Sequence, residues 1–121
     1  MSETLIFVYG TLKRGGSNHG FLHDQRFVGE ARTPPGFRLF EITGYPGMVP
    51  VPDDREGVTG EVWSVDAACL RQLDELEGLA EGLYRREPIA LLPPFDGQAA
   101  ETYIYNRDVS GRRELGSTWA V

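Results

Sequence analysis

The segment Leu73-Asp74-Glu75-Leu76-Glu77 ends in a carboxylate that a helical reading sets apart from its neighbours. At about 100° per residue, with Leu70 at zero, Leu73 falls near −60°, Cys69 near −100° and Leu76 near −120°, which defines an apolar arc. Asp74 and Glu75 point away from it, near +40° and +140°, whereas Glu77 falls near −20°, between Leu70 and Leu73. A carboxylate aimed at an apolar face must be paired, protonated or lining a cavity, because an unpaired buried charge costs several kcal/mol or more. Desolvation also raises its pKa toward the range where one carboxyl serves as general base and then as acid. Two plainer readings stand beside this one: Glu77 bends to solvent at a frayed helix end, or it pairs with Arg85 or Arg86.

The second chemical candidate is the glycine-rich stretch from Thr11 to Gly20, TLKRGGSNHG, which follows Gly10. Successive backbone N–H groups in a tight loop form a concave donor cluster that suits a carboxylate or a developing oxyanion. A phosphate-cradling P-loop requires Lys and then Ser or Thr after its second glycine, and here Lys13 precedes Gly15, so the nucleotide reading fails on residue order. A glycine-rich turn with nothing bound remains the structural alternative.

Other reactive side chains point to less. His19 and His23 are spaced i, i+4, but no third metal ligand lies nearby and Gly20 weakens a helix between them; no metal is expected, and His19 reads as a hydrogen-bonding anchor for the loop. Cys69 lies on the apolar arc without a basic neighbour, which fits an inert core thiol. Ser17 and Ser64 lack the strand-turn-helix elbow that presents a hydrolase serine. The proline-rich segment 44–52, GYPGMVPVP, reads as a stiff loop, either a lid or a rigid turn.

The elements that must position these groups follow from periodicity. Thr4–Tyr9 is a short apolar and β-branched run, and a strand directly before the glycine loop. Residues 20–24 fit a single helical turn, while 26–32 and 37–42 read as strands about the Pro34-Pro35-Gly36 turn. Residues 57–65 alternate with apolar groups on both faces, which marks another strand. Asp66 is an N-cap candidate and Gly78 a C-terminal stop, bounding one helix to about Glu77. Residues 84–92 and 99–106 complete about six strands, and the tail 107–121 has no readable periodicity. Many short strands with one strong helix predict an α+β domain, its curved or barrel-like sheet packed on one long helix.

The chain has 121 residues, enough for one domain, here 1–121, and too few for two. A net charge of −6 is the wrong sign for collecting nucleic acid or anionic lipid by phosphate neutralisation, so neither is an expected partner. One cysteine cannot form an internal disulfide, and MSETLIFVYG has neither a basic leader nor a long apolar run, which makes the cytoplasm the expected compartment. No stretch approaches the roughly 20 apolar residues needed to span a bilayer.

Taken in order, Tyr9-Gly10-Thr11-Leu12-Lys13-Arg14-Gly15, Asn18-His19, Gly60-Glu61-Val62-Trp63-Ser64-Val65-Asp66, Leu73-Asp74-Glu75-Leu76-Glu77-Gly78, Leu83-Tyr84-Arg85 and Tyr103-Ile104-Tyr105 resemble the gamma-glutamylcyclotransferase-like family. The likeness is greatest to its gamma-glutamylamine cyclotransferase branch and runs from about Leu5 to Arg107. The resemblance implies a small mixed β-barrel with a cavity between the first loop and the helix end, and makes Glu77 the acid/base. It implies that the backbone amides of Gly10, Thr11 and Leu12 hold the glutamyl moiety, that Tyr9 opens the loop, and that Tyr84 and Tyr105 wall the pocket. The implied reaction is attack of the α-amine of a γ-glutamyl group on its own γ-carbonyl, giving 5-oxoproline and a free amine without cofactor. A non-catalytic protein that keeps the 5-oxoproline pocket is the alternative. The amine, the oligomeric state and the role of the tail are left open by the sequence.

Overall fold

The computed structural model describes residues 3–120. Its strands are β1 (Glu3–Val8), β2 (Arg26–Arg32), β3 (Phe37–Glu41), β4 (Pro46–Pro50), β5 (Thr59–Asp66), β6 (Tyr84–Ile89), β7 (Ala100–Tyr105) and β8 (Glu114–Gly116), with one α-helix, α1 (Ala67–Leu76), and a 3₁₀ turn at His19–Leu22. The architecture is α+β, as expected, but among the described residues the strands number eight and form two sheets instead of a closed barrel. A five-stranded mixed sheet has the order β2-β5-β1-β7-β6, and a three-stranded sheet has the order β4-β3-β8. β1 is central, antiparallel to β5 and parallel to β7.

Both faces of the large sheet are covered, which explains why β1 and β5 carry apolar residues at successive positions. Ile6 and Val8 of β1 and Trp63 and Val65 of β5 pack with Cys69 and Leu73 of the helix. Phe7, Val62 and Ile104 point the opposite way and pack with Leu39 and Met48 of the small sheet. Leu73 is fully buried, so Leu73→Ala is expected to lower the unfolding free energy by about 2–5 kcal/mol through lost transfer energy and the cavity left behind. Urea denaturation at pH 7 measures this loss, and a change below about 1 kcal/mol would mean the helix does not form the lid of that core.

Two elements depart from the sequence reading. Segment 44–52 is not loop throughout: Pro46–Pro50 forms β4, paired antiparallel to β3 from Glu41↔Pro46 to Phe37↔Pro50. Proline is tolerated because β4 lies at a sheet edge, where a missing N–H breaks no second ladder. The tail contributes β8, bound to β3, and then runs back along β5, where the Thr59 N–H donates to the Ser117 carbonyl at 2.9 Å. These bonds are made to distant residues, so they leave no local pattern.

The helix boundaries match their signals. The Asp66 side chain accepts from the Cys69 N–H at 2.8 Å and caps the first turn. At the other end Gly78 takes φ +67, a conformation that glycine adopts without a Cβ penalty and that stops the helix one residue after Glu77. No helix among the described residues is long and apolar enough to cross a membrane.

Candidate active site

Glu77 is the C-cap of α1, with φ −84 and ψ 0, and its N–H donates to the Leu73 carbonyl at 2.9 Å. The side chain therefore leaves the helix in a defined direction, toward a cavity of about 320 Å³ that it helps to line. Neither arginine offered as a partner reaches it. Arg85 bonds Glu87 and Asn106, and Arg86 bonds Glu101 and stands 3.2 Å from Asp74. Among the described residues no side chain donates to or forms an ion pair with the Glu77 carboxylate. Burial pushes its pKa up to about 7. The helix C-terminus, the negative end of the macrodipole, disfavours a carboxylate in the same direction.

The loop after β1 also lines the cavity. The Gly10 carbonyl accepts from the Lys13 N–H at 3.1 Å, and the Thr11 carbonyl accepts from the Asn18 N–H at 2.9 Å. In a planar trans peptide the N–H lies opposite the carbonyl. The Thr11 and Leu12 N–H groups are thereby turned away from the loop interior, and neither finds an acceptor among the described residues. Both residues line the cavity, together with Gly10. Two adjacent bare amides, which suit a carboxylate or oxyanion, and an unpartnered carboxyl, which suits proton transfer, thus line one cavity.

Of the residues singled out from sequence, Tyr9, Gly10, Thr11, Leu12, Glu77 and Tyr84 line this one cavity. Tyr105 does not; its ring stands edge-on behind Tyr84, with centroids 5.3 Å apart. Tyr103, two residues earlier on the same face of β7, lines the cavity instead and donates its hydroxyl to Asp74 at 2.8 Å. The strand periodicity selects the face but not the position along it. The phenols of Tyr9 and Tyr84 donate to backbone carbonyls, of Tyr103 at 2.7 Å and Pro46 at 2.8 Å respectively. Burial raises both pKa values beyond the ordinary tyrosine range, and the nearby Glu77 charge adds to this. Both phenols therefore stay in the neutral form near neutral pH.

Ser17 and Asn18, not singled out as pocket residues, also line the cavity, as do Gly44 and Tyr45 from the segment read as a lid or a rigid turn. Asn18 has a readable signal in hindsight, since its Nδ2 donates to the Thr11 hydroxyl at 3.0 Å, closing a loop of the kind asparagine favours. The other reactive side chains are separately engaged. A His19 ring nitrogen lies 3.0 Å from the Leu12 carbonyl, whereas His23 is exposed and 2.8 Å from Asp24. Cys69 is buried with its thiol 3.4 Å from the Phe21 carbonyl, and burial pushes its pKa up. Ser64 lies on β5 and donates to Glu3.

The fold is that of the gamma-glutamyl cyclotransferases. Residues 6–120 match the family described as gamma-glutamyl cyclotransferase, AIG2-like, and the chain belongs to it. Over 103 residues it is 42% identical to a Vibrio cholerae protein named as a candidate gamma-glutamylcyclotransferase, covering 85% of this chain and 83% of that one. It is 40% identical to the human gamma-glutamylaminecyclotransferase, over 85% of this chain and 78% of the human protein. Among solved structures, an AIG2-like protein from Mus musculus superposes with a TM-score of 0.71 at 31% identity, covering 88% of this chain and 78% of the mouse chain. The chain spans less of some relatives, 52% of one from Arabidopsis thaliana.

Proposed function

We propose that the protein cyclises γ-glutamyl amines to 5-oxoproline and the free amine, with Glu77 carrying protons between the two nitrogens. One observation supports this above the rest: the unpartnered Glu77 carboxyl and the bare Thr11 and Leu12 N–H groups line a single cavity. The α-nitrogen forms a bond to the γ-carbonyl carbon and the bond from that carbon to the leaving nitrogen breaks. An α-ammonium ends as a lactam N–H and the departing amine as an ammonium, so two protons pass from one nitrogen to the other. Glu77 is the charged side chain placed to relay them, a role commonly worth about 10²–10⁴ in rate. The amides of Thr11 and Leu12 would face the tetrahedral oxyanion, each such donor being worth roughly 3–4 kcal/mol. Holding the glutamyl chain folded, with nucleophile and electrophile in one molecule, supplies on the order of 7–11 kcal/mol more.

The preference for an amine over an α-amino acid as leaving group has its own support. Among the described residues lining the cavity Glu77 is the one formally charged side chain, and no lysine or arginine is present. A γ-glutamyl amino acid would bring a second carboxylate beside the scissile nitrogen with no cation to receive it. Leaving such a group unpaired costs on the order of 1–3 kcal/mol. Accordingly, a γ-glutamyl alkylamine is expected to show a kcat/KM at least about tenfold above that of the matched γ-glutamyl α-amino acid. Mass spectrometry of 5-oxoproline release from paired substrates measures this; equal turnover would remove the amine preference. Tight binding of 5-oxoproline with no product from any γ-glutamyl donor would make the protein a binder and not an enzyme.

A further inference from the structure

The bare amides are useful only if the loop that carries them is held still, and glycines at 10, 15 and 16 make it intrinsically mobile. What holds it lies outside the cavity. Glu61, on β5 opposite Val8 of β1, is 7% exposed, and donors converge on its carboxylate from two directions. Its Oε1 accepts from the backbone N–H of Arg14 at 3.1 Å and from Trp63 Nε1 at 3.1 Å, while Oε2 accepts from Arg14 Nε at 3.1 Å. The Arg14 guanidinium in turn lies 3.9 Å over the Phe27 ring. Trp63, fixed by the same carboxylate, carries His19 edge-on with ring centroids 5.2 Å apart, and His19 reaches back to the Leu12 carbonyl at 3.0 Å. Thus one buried acid grips the descending limb of the loop at Arg14 and the returning limb through Trp63 and His19. The peptides that present the Thr11 and Leu12 N–H groups lie just before the first grip, and the second closes on the Leu12 carbonyl.

We infer that Glu61 is a positioning residue of the reaction, a buried carboxylate that fixes the loop so that the Thr11 and Leu12 N–H groups face the bound acyl group. It touches no cavity-lining atom of the proposed chemistry and acts through Arg14, Trp63 and His19. The charge suits this task. Burial pushes the Glu61 carboxyl up, but the Trp63 and Arg14 donors outweigh that and hold it below the usual carboxylate range, so the grip persists through the working pH range. Glutamine at 61 retains an oxygen for the Arg14 N–H and Trp63 but turns an NH₂ toward Arg14 Nε, setting donor against donor.

This inference rests on the cyclotransferase reading for its kinetic half, and a second readout is independent of turnover. In Glu61→Gln, kcat for a γ-glutamyl amine is expected to fall about 10²-fold, the loss that follows a misplacement near 1 Å. KM is expected to change far less, and the acid limb of the pH profile, which belongs to Glu77, is expected to stay in place. Nitrogen-15 relaxation should show lower order at Thr11 and Leu12 with helix residues 67–76 unchanged. His19→Ala, which removes only the second grip, should show the same pattern more weakly and keeps the test available should the Glu61 variant not fold. Unaltered order at Thr11 and Leu12, or unaltered kcat despite lost order, would overturn the assignment. If the unaltered protein releases no 5-oxoproline, the reaction is wrong, while relaxation still decides whether Glu61 holds the amides.

Discussion

Glu77→Gln is expected to reduce kcat for a γ-glutamyl amine by about 10²–10⁴-fold while leaving the fold intact. Glutamine matches the size and hydrogen-bonding reach of the acid and removes only the capacity to take and return a proton. The pH dependence makes the assignment specific. With its pKa pushed up to about 7 by burial, the carboxyl must lose its proton before it can accept one from the α-ammonium. The kcat/KM of the unaltered enzyme should therefore fall roughly tenfold per pH unit below pH 7, and the residual activity of the variant should lack that limb. A glutamine variant with normal turnover would end the mechanism.

The same shift predicts a stability effect of opposite sense. Below pH 4.5, its ordinary value, Glu77 is protonated in both folded and unfolded chains and imposes no penalty. As pH rises from 4.5 through 7 the unfolded chain ionises first, and stability is lost, by up to about 3 kcal/mol once pH exceeds the folded value. The charge-free variant escapes this loss. It should melt higher than the parent at pH 8 and close to it at pH 4.5, so that the residue that costs stability is the one that confers activity. Equal melting temperatures at both pH values would show that the carboxyl is not desolvated in the fold.

Gly16→Ala should also give a large loss, about 10²-fold in kcat, without touching Glu77. A Cβ at Gly16 would stand 2.2 Å from the Thr11 carbonyl oxygen and 2.7 Å from its carbonyl carbon. Backbone cannot yield as a flexible side chain does, so the Thr11–Leu12 peptide must rotate or shift, re-aiming the Leu12 N–H. The variant should keep the acid limb near pH 7, because its proton carrier is unaltered, and should bind 5-oxoproline more weakly. Gly20→Ala, where a Cβ would meet nothing within 4 Å, is the control and should leave activity near that of the parent. A Gly16 variant with parental kcat would mean that the amides do not serve the reaction.

Legibility from sequence divides along physical lines. Asp66 and Gly78 mark α1 because caps are local devices, and the direction of Glu77 follows once the helix is bounded. The edge strand β4 is hidden because Pro46, Gly47 and Pro50 read as loop, while its ladder pairing is with β3 and its other contacts are to distant Tyr9 and Tyr84. Tyr103 and Tyr105 share a face, and only the register that sets Tyr105 opposite Tyr84 and Tyr103 opposite Arg86 tells which lines the cavity. The Glu61 grip could have been suspected in the way Glu77 was, since the alternation of β5 puts it on the same face as Trp63 and Val65. Its partners Arg14 and His19 come from a loop whose path no local rule predicts.

The two phenols that lean on backbone carbonyls have a bearing on how substrates are admitted. The Tyr84 hydroxyl fastens Pro46, and the Tyr9 hydroxyl accepts from the Met48 N–H at 3.2 Å, so the small sheet is riveted to the large one beneath the hollow. That part of the cavity is thereby held fixed, and on the proposed reading it would receive the glutamyl head; Ser17, Gly44 and Tyr45 also line the cavity. On the proposed reading, only the far end of the amine would extend past those residues, so its bulk would weigh less than the chemistry beside the scissile nitrogen.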